Sequence, residues 1–287
     1  MIISLTEAKS IDTDIEIYLD QAGEVFKAFR DQDSGCVSYG VRLEGRCWFV
    51  KHSNNPRGIE SLRRARHLHG TVRHPALLKL WNDFETPGGL ALVYDWLSGE
   101  VLYEYSIARG EDGRRDPSSP HARFRVLPAS RILAALDTIY DVHLSLAEHG
   151  FIAVDFYDGC ILYDFSVHQA HLIDLDEYRP GPFTLAADRL PGSKRFMAPE
   201  EWQCGAQIDQ VTNVYTLGRT AFELLGSVET GDWRGTDAMR AVAERATARD
   251  RTARYASVRE FVEAWRQAVA GISLANLSST QSRKGLN

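Results

Sequence analysis

The sequence predicts an α+β fold, with a β-rich part first, a helix-rich part second and a cleft shared between them. Three observations predict it. β-prone segments crowd the first third of the chain, and apolar residues at helical spacing dominate from about residue 128. Between them lies 107–121, a polar stretch broken by Pro and Gly. A length of 287 residues suits one large domain or two lobes around a common cleft.

The elements follow in order. Segments 36–43 and 46–51 are β-prone, and Glu44-Gly45 between them predicts an antiparallel hairpin. A helix is predicted over 57–70, with Ser61, Leu62, Ala65 and Leu68 as its inner stripe. Two more strands are predicted at 76–82 and 90–96, separated by the turn Thr86-Pro87-Gly88-Gly89. A link between the two parts is expected near Asp95–Gly99. Segment 107–121 reads as a loop. A long helix follows over 128–149, stopped by His149-Gly150. Short strands are predicted around 160–163 and 171–174, then helices at 208–226, 236–248 and 256–270. The predicted division is a β-rich lobe over 1–96, a helical lobe over 97–272, and a disordered Ser/Gln/Asn-rich tail over 273–287.

Composition narrows the classes of function. Hydrophobic content of 44% with 25% charged residues is that of a globular chain. The formal net charge of −6 gives no support to nucleic-acid binding. The run Arg63-Arg64-Ala65-Arg66-His67 reads as a solvated helix face. Cys36, Cys47, Cys160 and Cys204 show no C-x-x-C spacing, so reduced thiols are expected rather than a zinc site. Neither a leader-like start nor an apolar run of membrane-spanning length is seen. A soluble, cytoplasmic protein without a membrane partner is expected.

Four landmarks carry chemistry. Phe49-Val50-Lys51 places a compact cation at the end of a strand. His149-Gly150-Phe151-Ile152-Ala153-Val154-Asp155 places a carboxylate in a loop after a helix stop. His171-Leu172-Ile173-Asp174-Leu175-Asp176 ends another strand in two carboxylates, a residue type suited to hard cations. Gly192-Ser193-Lys194-Arg195-Phe196-Met197-Ala198-Pro199-Glu200 is the most specific, and Asp250-Arg251-Thr252-Ala253-Arg254 lies downstream of it.

In this order the motifs resemble those of the eukaryotic-like serine/threonine protein kinase family. The resemblance runs from about Gly35 to about Trp265. It implies a protein-kinase-like two-lobed fold and transfer of the γ-phosphate of ATP to a protein hydroxyl, with Mg²⁺ (or Mn²⁺) as the metal. Lys51 would hold phosphates, Asp155 would take the acceptor's proton, and Asp174 would bind the metal. Gly35 and Val37 would belong to the phosphate loop. The backbone of Asp95 and Leu97 would meet adenine, and Glu100 a ribose hydroxyl. Glu200 and Arg254 would form a buried structural ion pair. Smaller matches are His74-Pro75, Tyr94-Asp95-Trp96-Leu97 and Val211-Thr212-Asn213-Val214-Tyr215-Thr216-Leu217-Gly218, the last with Asn213 where Asp is usual.

The departures are equally specific. Arg30 and Gln32 occupy two glycine positions of the phosphate loop, and Arg30 or Ser34 is a candidate phosphate contact in their place. Ala65 stands where a helix Glu would pair Lys51, leaving Lys51 to another acid such as Asp176 or free. Tyr157 and Cys160 replace the loop Lys and Asn, and a soft sulfur ligates Mg²⁺ poorly. Asp158 and Asp176 are then the candidates for further metal binding. Val154 replaces an Arg, so Ser193 is read as a substrate-pocket residue rather than a phosphoswitch. Two other functions remain open: a kinase of a small-molecule acceptor on the same fold, and a pseudokinase acting as a binding or scaffold module.

Overall fold

The computed structural model describes residues 4–30, 34–103, 110–226 and 232–284, with backbone alone at 110–112 and 272–284. The protein is α+β. An N-terminal antiparallel five-stranded sheet precedes a largely helical C-terminal region.

The chain begins with a short helix, α1 (Ile15–Ala22), which sequence periodicity did not predict. Asp14 caps it by accepting the Glu16 N–H at 2.8 Å. Strands β1 (Glu24–Phe29), β2 (Val37–Leu43) and β3 (Arg46–Ser53) follow, then helix α2 (Pro56–Thr71) and strands β4 (Leu80–Thr86) and β5 (Gly89–Asp95). The sheet order is β1-β2-β3-β5-β4. The β2–β3 hairpin turns at Glu44-Gly45 as predicted, both at positive φ. The strand predicted at 76–82 starts only at Leu80. Residues before it leave the sheet, and the Ala76 carbonyl accepts the Leu172 N–H at 2.8 Å.

Strand alternation divides the sheet into two faces. On one face Tyr39, Val41, Trp48, Val50, Ala91 and Val93 pack against Leu5, Ala8, Ile15, Tyr18 and Leu19 of the N-terminal segment. On the other, Cys36, Leu90, Leu92 and Tyr94 meet Leu62 and Ala65 of α2. The predicted α2 stripe of Ser61, Leu62, Ala65 and Leu68 is buried.

Strand β6 (Glu100–Val101) leads into the second region. Helices α3 (Gly110–Arg115) and α4 (Pro120–Arg125) occupy part of the predicted loop 107–121, whose residues 107–109 lie outside the described residues. Ser119 caps α4 with Pro120 at its first position, which is why this Pro-containing stretch becomes helical. Helix α5 (Ala129–Glu148) is followed by the short strands β7 (Phe151–Ile152), β8 (Ile161–Asp164), β9 (Gln169–Leu172), β10 (Arg179–Pro180), β11 (Phe183–Thr184) and β12 (Gln207–Ile208). The chain closes with α6 (Gln210–Leu225), α7 (Asp237–Ala246) and α8 (Val258–Lys284). Helix α8 thus continues through 273–284, a segment predicted to be a disordered tail; residues 285–287 lie outside the described residues. Among the described residues no helix is long and apolar enough to cross a membrane.

The main core joins α5, α6, α7 and α8 around Tyr140, whose ring meets those of Phe261 and Trp265 edge to face. Trp202, by contrast, is surface-exposed. At the base of this region Arg254 holds Glu200 in a bidentate pair, at 2.7 and 3.0 Å, and donates to the Ala248 carbonyl at 2.7 Å. The Arg254 side chain is fully buried. Truncating it leaves a buried carboxylate to the longer contact with Arg251, at 3.4 Å. Arg254→Ala is expected to lower unfolding free energy by about 3–5 kcal/mol, read from urea denaturation.

Candidate active site

Lys51 lies on the α2-facing side of β3 and is 5% exposed. Its ammonium group meets Asp174 Oδ1 at 2.5 Å and also pairs with Asp176 Oδ2. Burial alone would push the Lys51 ammonium down. The two carboxylates outweigh that and hold it well above the usual lysine value. The pair is asymmetric: the Asp176 side chain is nearly buried and Asp174 is half-exposed. Burial raises the Asp176 carboxyl, and the Lys51 charge works against the rise.

Asp174 follows β9 within two residues and has φ of 58°. Asp155 follows β7 within three residues and has φ of 62°. Both are non-glycine residues in the left-handed region, a conformation that costs energy and clusters at functional sites. The loop before Asp155 is fastened by Asn213 of α6. Its amide oxygen accepts the Ala153 N–H and its amide nitrogen donates to the Ala153 carbonyl, both at 2.8 Å. An aspartate can only accept, so the amide at 213 satisfies both backbone groups where a carboxylate would satisfy one. On the other side, Cys160 donates its thiol to the Asp155 carbonyl at 3.3 Å.

Burial pushes the Asp155 carboxyl up to about 7, and the charges of Asp174 and Glu177 add to the rise. Its proton affinity is thereby set close to neutral pH. Arg57 and Lys51 pull the other way but do not offset burial.

The structure brings together Lys51, Asp174 and Asp176, with Asp155 near enough for its charge and that of Asp174 to act on each other. It does not bring Asp158 to them. Asp158 was a candidate for metal binding, but it is wholly buried. Arg114, from α3, takes both its oxygens at 2.6 and 2.8 Å, and Arg114 itself stacks over Tyr103. His121 Nε2 stands 3.7 Å from the same carboxylate. A carboxylate neutralised by a bidentate guanidinium is not free to ligate a cation.

Val37 also differs from expectation. It opens β2 on the α1 side of the sheet, where it packs against that core. Ser38, opposite Lys51, and Gly40, opposite Phe49, share the Lys51 face instead. Counting back along the sequence missed the face by one residue, and in a strand one residue reverses every side chain. Gly35 does turn the chain into β2, with φ of 74°, and its carbonyl accepts the Ser53 hydroxyl at 2.7 Å. Arg30 pairs with Glu16 of α1 on the far side of the sheet, so it does not point toward Lys51.

At the end of β5, the Asp95 N–H donates to the Lys79 carbonyl at 3.4 Å, and its carboxylate is taken by Arg46 and Trp81. Leu97 is half-buried just beyond. Glu100 is exposed and held by Arg123 at 2.8 and 2.9 Å. Beside these residues lies a feature that sequence reading missed. Phe26, Phe49, Tyr94 and Trp96 form a chain of ring contacts with centroids 4.9–6.3 Å apart. Gly40 makes room for it, since a Cβ there would stand 2.7–2.8 Å from the Phe26 and Trp96 rings. A glycine in mid-strand was the available signal.

Also unforeseen is the tie from α2. Arg64 donates to Glu177 at 2.6 Å and to the Asp176 carbonyl at 3.0 Å, and Ser61 donates to Glu177 at 2.8 Å. The helix therefore offers a cation, not an acid, to the segment after Asp174. The basic run 63–67 is not a uniformly solvated face.

Among the described residues, no group of three or more His, Cys, Asp or Glu side chains is placed to hold a metal ion. No protein-family model and no curated protein matches this chain.

The raised Asp155 carboxyl has a consequence for stability. Below about pH 4 folded and unfolded chains both carry its proton. Between about pH 4 and 7 only the folded chain keeps it, so stability falls as pH rises and the loss is complete above 7. Asp155→Asn removes this loss. Its stability relative to wild type is expected to grow between pH 4 and 7.5, by on the order of 2–4 kcal/mol, in denaturation series at several pH values.

Proposed function

We propose that this chain is an ATP-dependent phosphotransferase with a protein-kinase-like two-lobed architecture, acting on a hydroxyl of a protein substrate. One observation carries the reading: a strand-borne ammonium, Lys51, and the carboxylates Asp174 and Asp176 meet where the sheet abuts the helical region, with Asp155 electrostatically coupled to them. Three motifs far apart in sequence supply those groups.

In this reading Lys51 contacts the α- and β-phosphates once it yields part of its pairing with Asp174. Mg²⁺ characteristically keeps waters and takes one or two protein carboxylates together with phosphate oxygens. The half-exposed Asp174 fits that demand, and Asp176 is the second carboxylate within reach of the same ammonium. Asp158 does not fit, being neutralised by Arg114. When bound, the metal would offset charge on the transferring phosphoryl group. Asp155 orients the acceptor hydroxyl and takes its proton as the bond from that oxygen to the γ-phosphorus forms and the bond to the bridging oxygen breaks. A carboxyl near 7 suits that task at neutral pH.

Thermal melts across nucleotide and metal mixtures test the reading. ATP with Mg²⁺ or Mn²⁺ at a hundredfold its Kd is expected to add about 2.7 kcal/mol of stability. Asp155→Asn should keep that gain and lose transfer of labelled phosphate. No gain with any mixture would sink the enzymatic reading.

A second reading is a pseudokinase that binds partners without turnover. The ring cluster favours it. Phe49 stands two residues before Lys51 on the same strand face and packs against Trp96 and Tyr94, where the motif alignment puts the base of a nucleotide. Under the first reading these rings are a stacking platform for the base. Under the second they close the site. Phe49→Ala separates the two: a loss of nucleotide stabilisation supports the platform, and a gain absent from wild type supports closure.

A further inference from the structure

Behind Asp155 the structure holds a small cavity of about 10 Å³, at the lower size limit for one water molecule. Asp155, Gly192, Met197, Glu201 and Thr216 are among the residues that line it. Gly192, at φ of 143°, keeps the space open on the Asp155 side: a Cβ there would meet Met197 at 3.2 Å and the Asp155 Cα at 3.7 Å.

Glu201 has no role in the reading above, yet it is 4% exposed. One carboxyl oxygen, Oε2, accepts the Ala198 N–H at 2.5 Å, and its backbone carbonyl accepts the Leu190 N–H at 2.9 Å. The charged groups that face it are Glu200 on its own turn, Asp155 from the loop after β7, and Arg254 from the segment before α8. Arg254 is committed to Glu200 through two hydrogen bonds. Glu201 therefore sits between two acids, with the nearby cation taken. Burial pushes its carboxyl up to about 8, Glu200 and Asp155 add to the rise, and the Ala198 N–H and Arg254 oppose it.

We propose that Glu201 is a positioning residue for Asp155, its carboxyl donating through one water in the shared cavity to the carboxylate that receives the acceptor's proton. This inference rests on the phosphotransferase reading and deepens it. A donor behind Asp155 favours its ionised form and aims it while it waits for the acceptor, much as any buried carboxylate needs a hydrogen-bond partner. The proton on Glu201 is held in place and is not transferred in the cycle. As pH rises through about 8 Glu201 loses that proton. The donor then becomes a second negative charge facing Asp155.

Labelled-phosphate transfer measured from pH 6 to 9.5 on wild type, Glu201→Gln and Glu201→Leu tests this. Wild-type kcat is expected to fall above about pH 8. Leu, which cannot donate, should lose about tenfold at pH 7, the value of one hydrogen bond of ordinary strength. Gln, a donor at every pH, should restore most of that loss and abolish the alkaline fall. An infrared difference spectrum at pH 7 should show a protonated-carboxyl band that Gln removes, with no turnover needed. An unchanged alkaline fall in Gln, a Leu variant equal to wild type, or no such band would overturn the inference while leaving the phosphotransferase reading intact. Absence of turnover from wild type at every pH would instead remove that reading, and this inference with it.

Discussion

The arrangement depends on one buried electrostatic meeting, the Lys51 ammonium between Asp174 and Asp176. Lys51 comes from the sheet and both acids from the helical region, so the contact ties the two halves of the chain. An ammonium this buried would be intolerable alone, and so would Asp176. Each makes the other's burial possible. The asymmetry between them matters as much as the attraction. Asp176 is anchored beside Lys51, whereas Asp174 stands half in solvent.

Helix α2 serves this meeting with a cation. Ala65 packs against the sheet without charge, and Arg64 one residue earlier grips Glu177 and the Asp176 carbonyl. The helix thus positions the acids through their backbone segment and leaves the lysine to them. Arg114 plays a comparable part on the opposite flank, where it draws Asp158 inward and fixes the short turn between Asp155 and Cys160. Two arginines, neither of them foreseen, hold the two loops that carry the carboxylates.

Much of this was legible in the sequence, and the limits are physical. The β2–β3 hairpin, α2 with its inner stripe, α5 and the Glu200–Arg254 pair follow from local turn chemistry, periodicity and motif order. The placement of Lys51 beside Asp174 and Asp176 was among the alternatives those motifs allowed. The sheet face that Val37 takes was not legible because strand register is decided by cross-strand pairing, which a linear count does not contain. Asp158 was taken for a metal candidate because its partner lies 44 residues upstream in a stretch dense with Pro, Gly and charge. Glu201 carries no signal of its own: an acid after Pro199-Glu200 looks like any other until burial is known. The helix α1 was missed because eight residues give periodicity little length in which to show itself.

That helix has a practical bearing. The outer face of the sheet is apolar, with Tyr39, Val41, Trp48 and Val93 on it, and the chain supplies its own cover from Leu5 to Leu19. The first clear motif lies near Gly35, so a truncation drawn by motif boundaries would cut this cover away. The shortened protein would present a bare greasy surface to its neighbours and would be prone to self-association, whatever the state of the groups around Lys51.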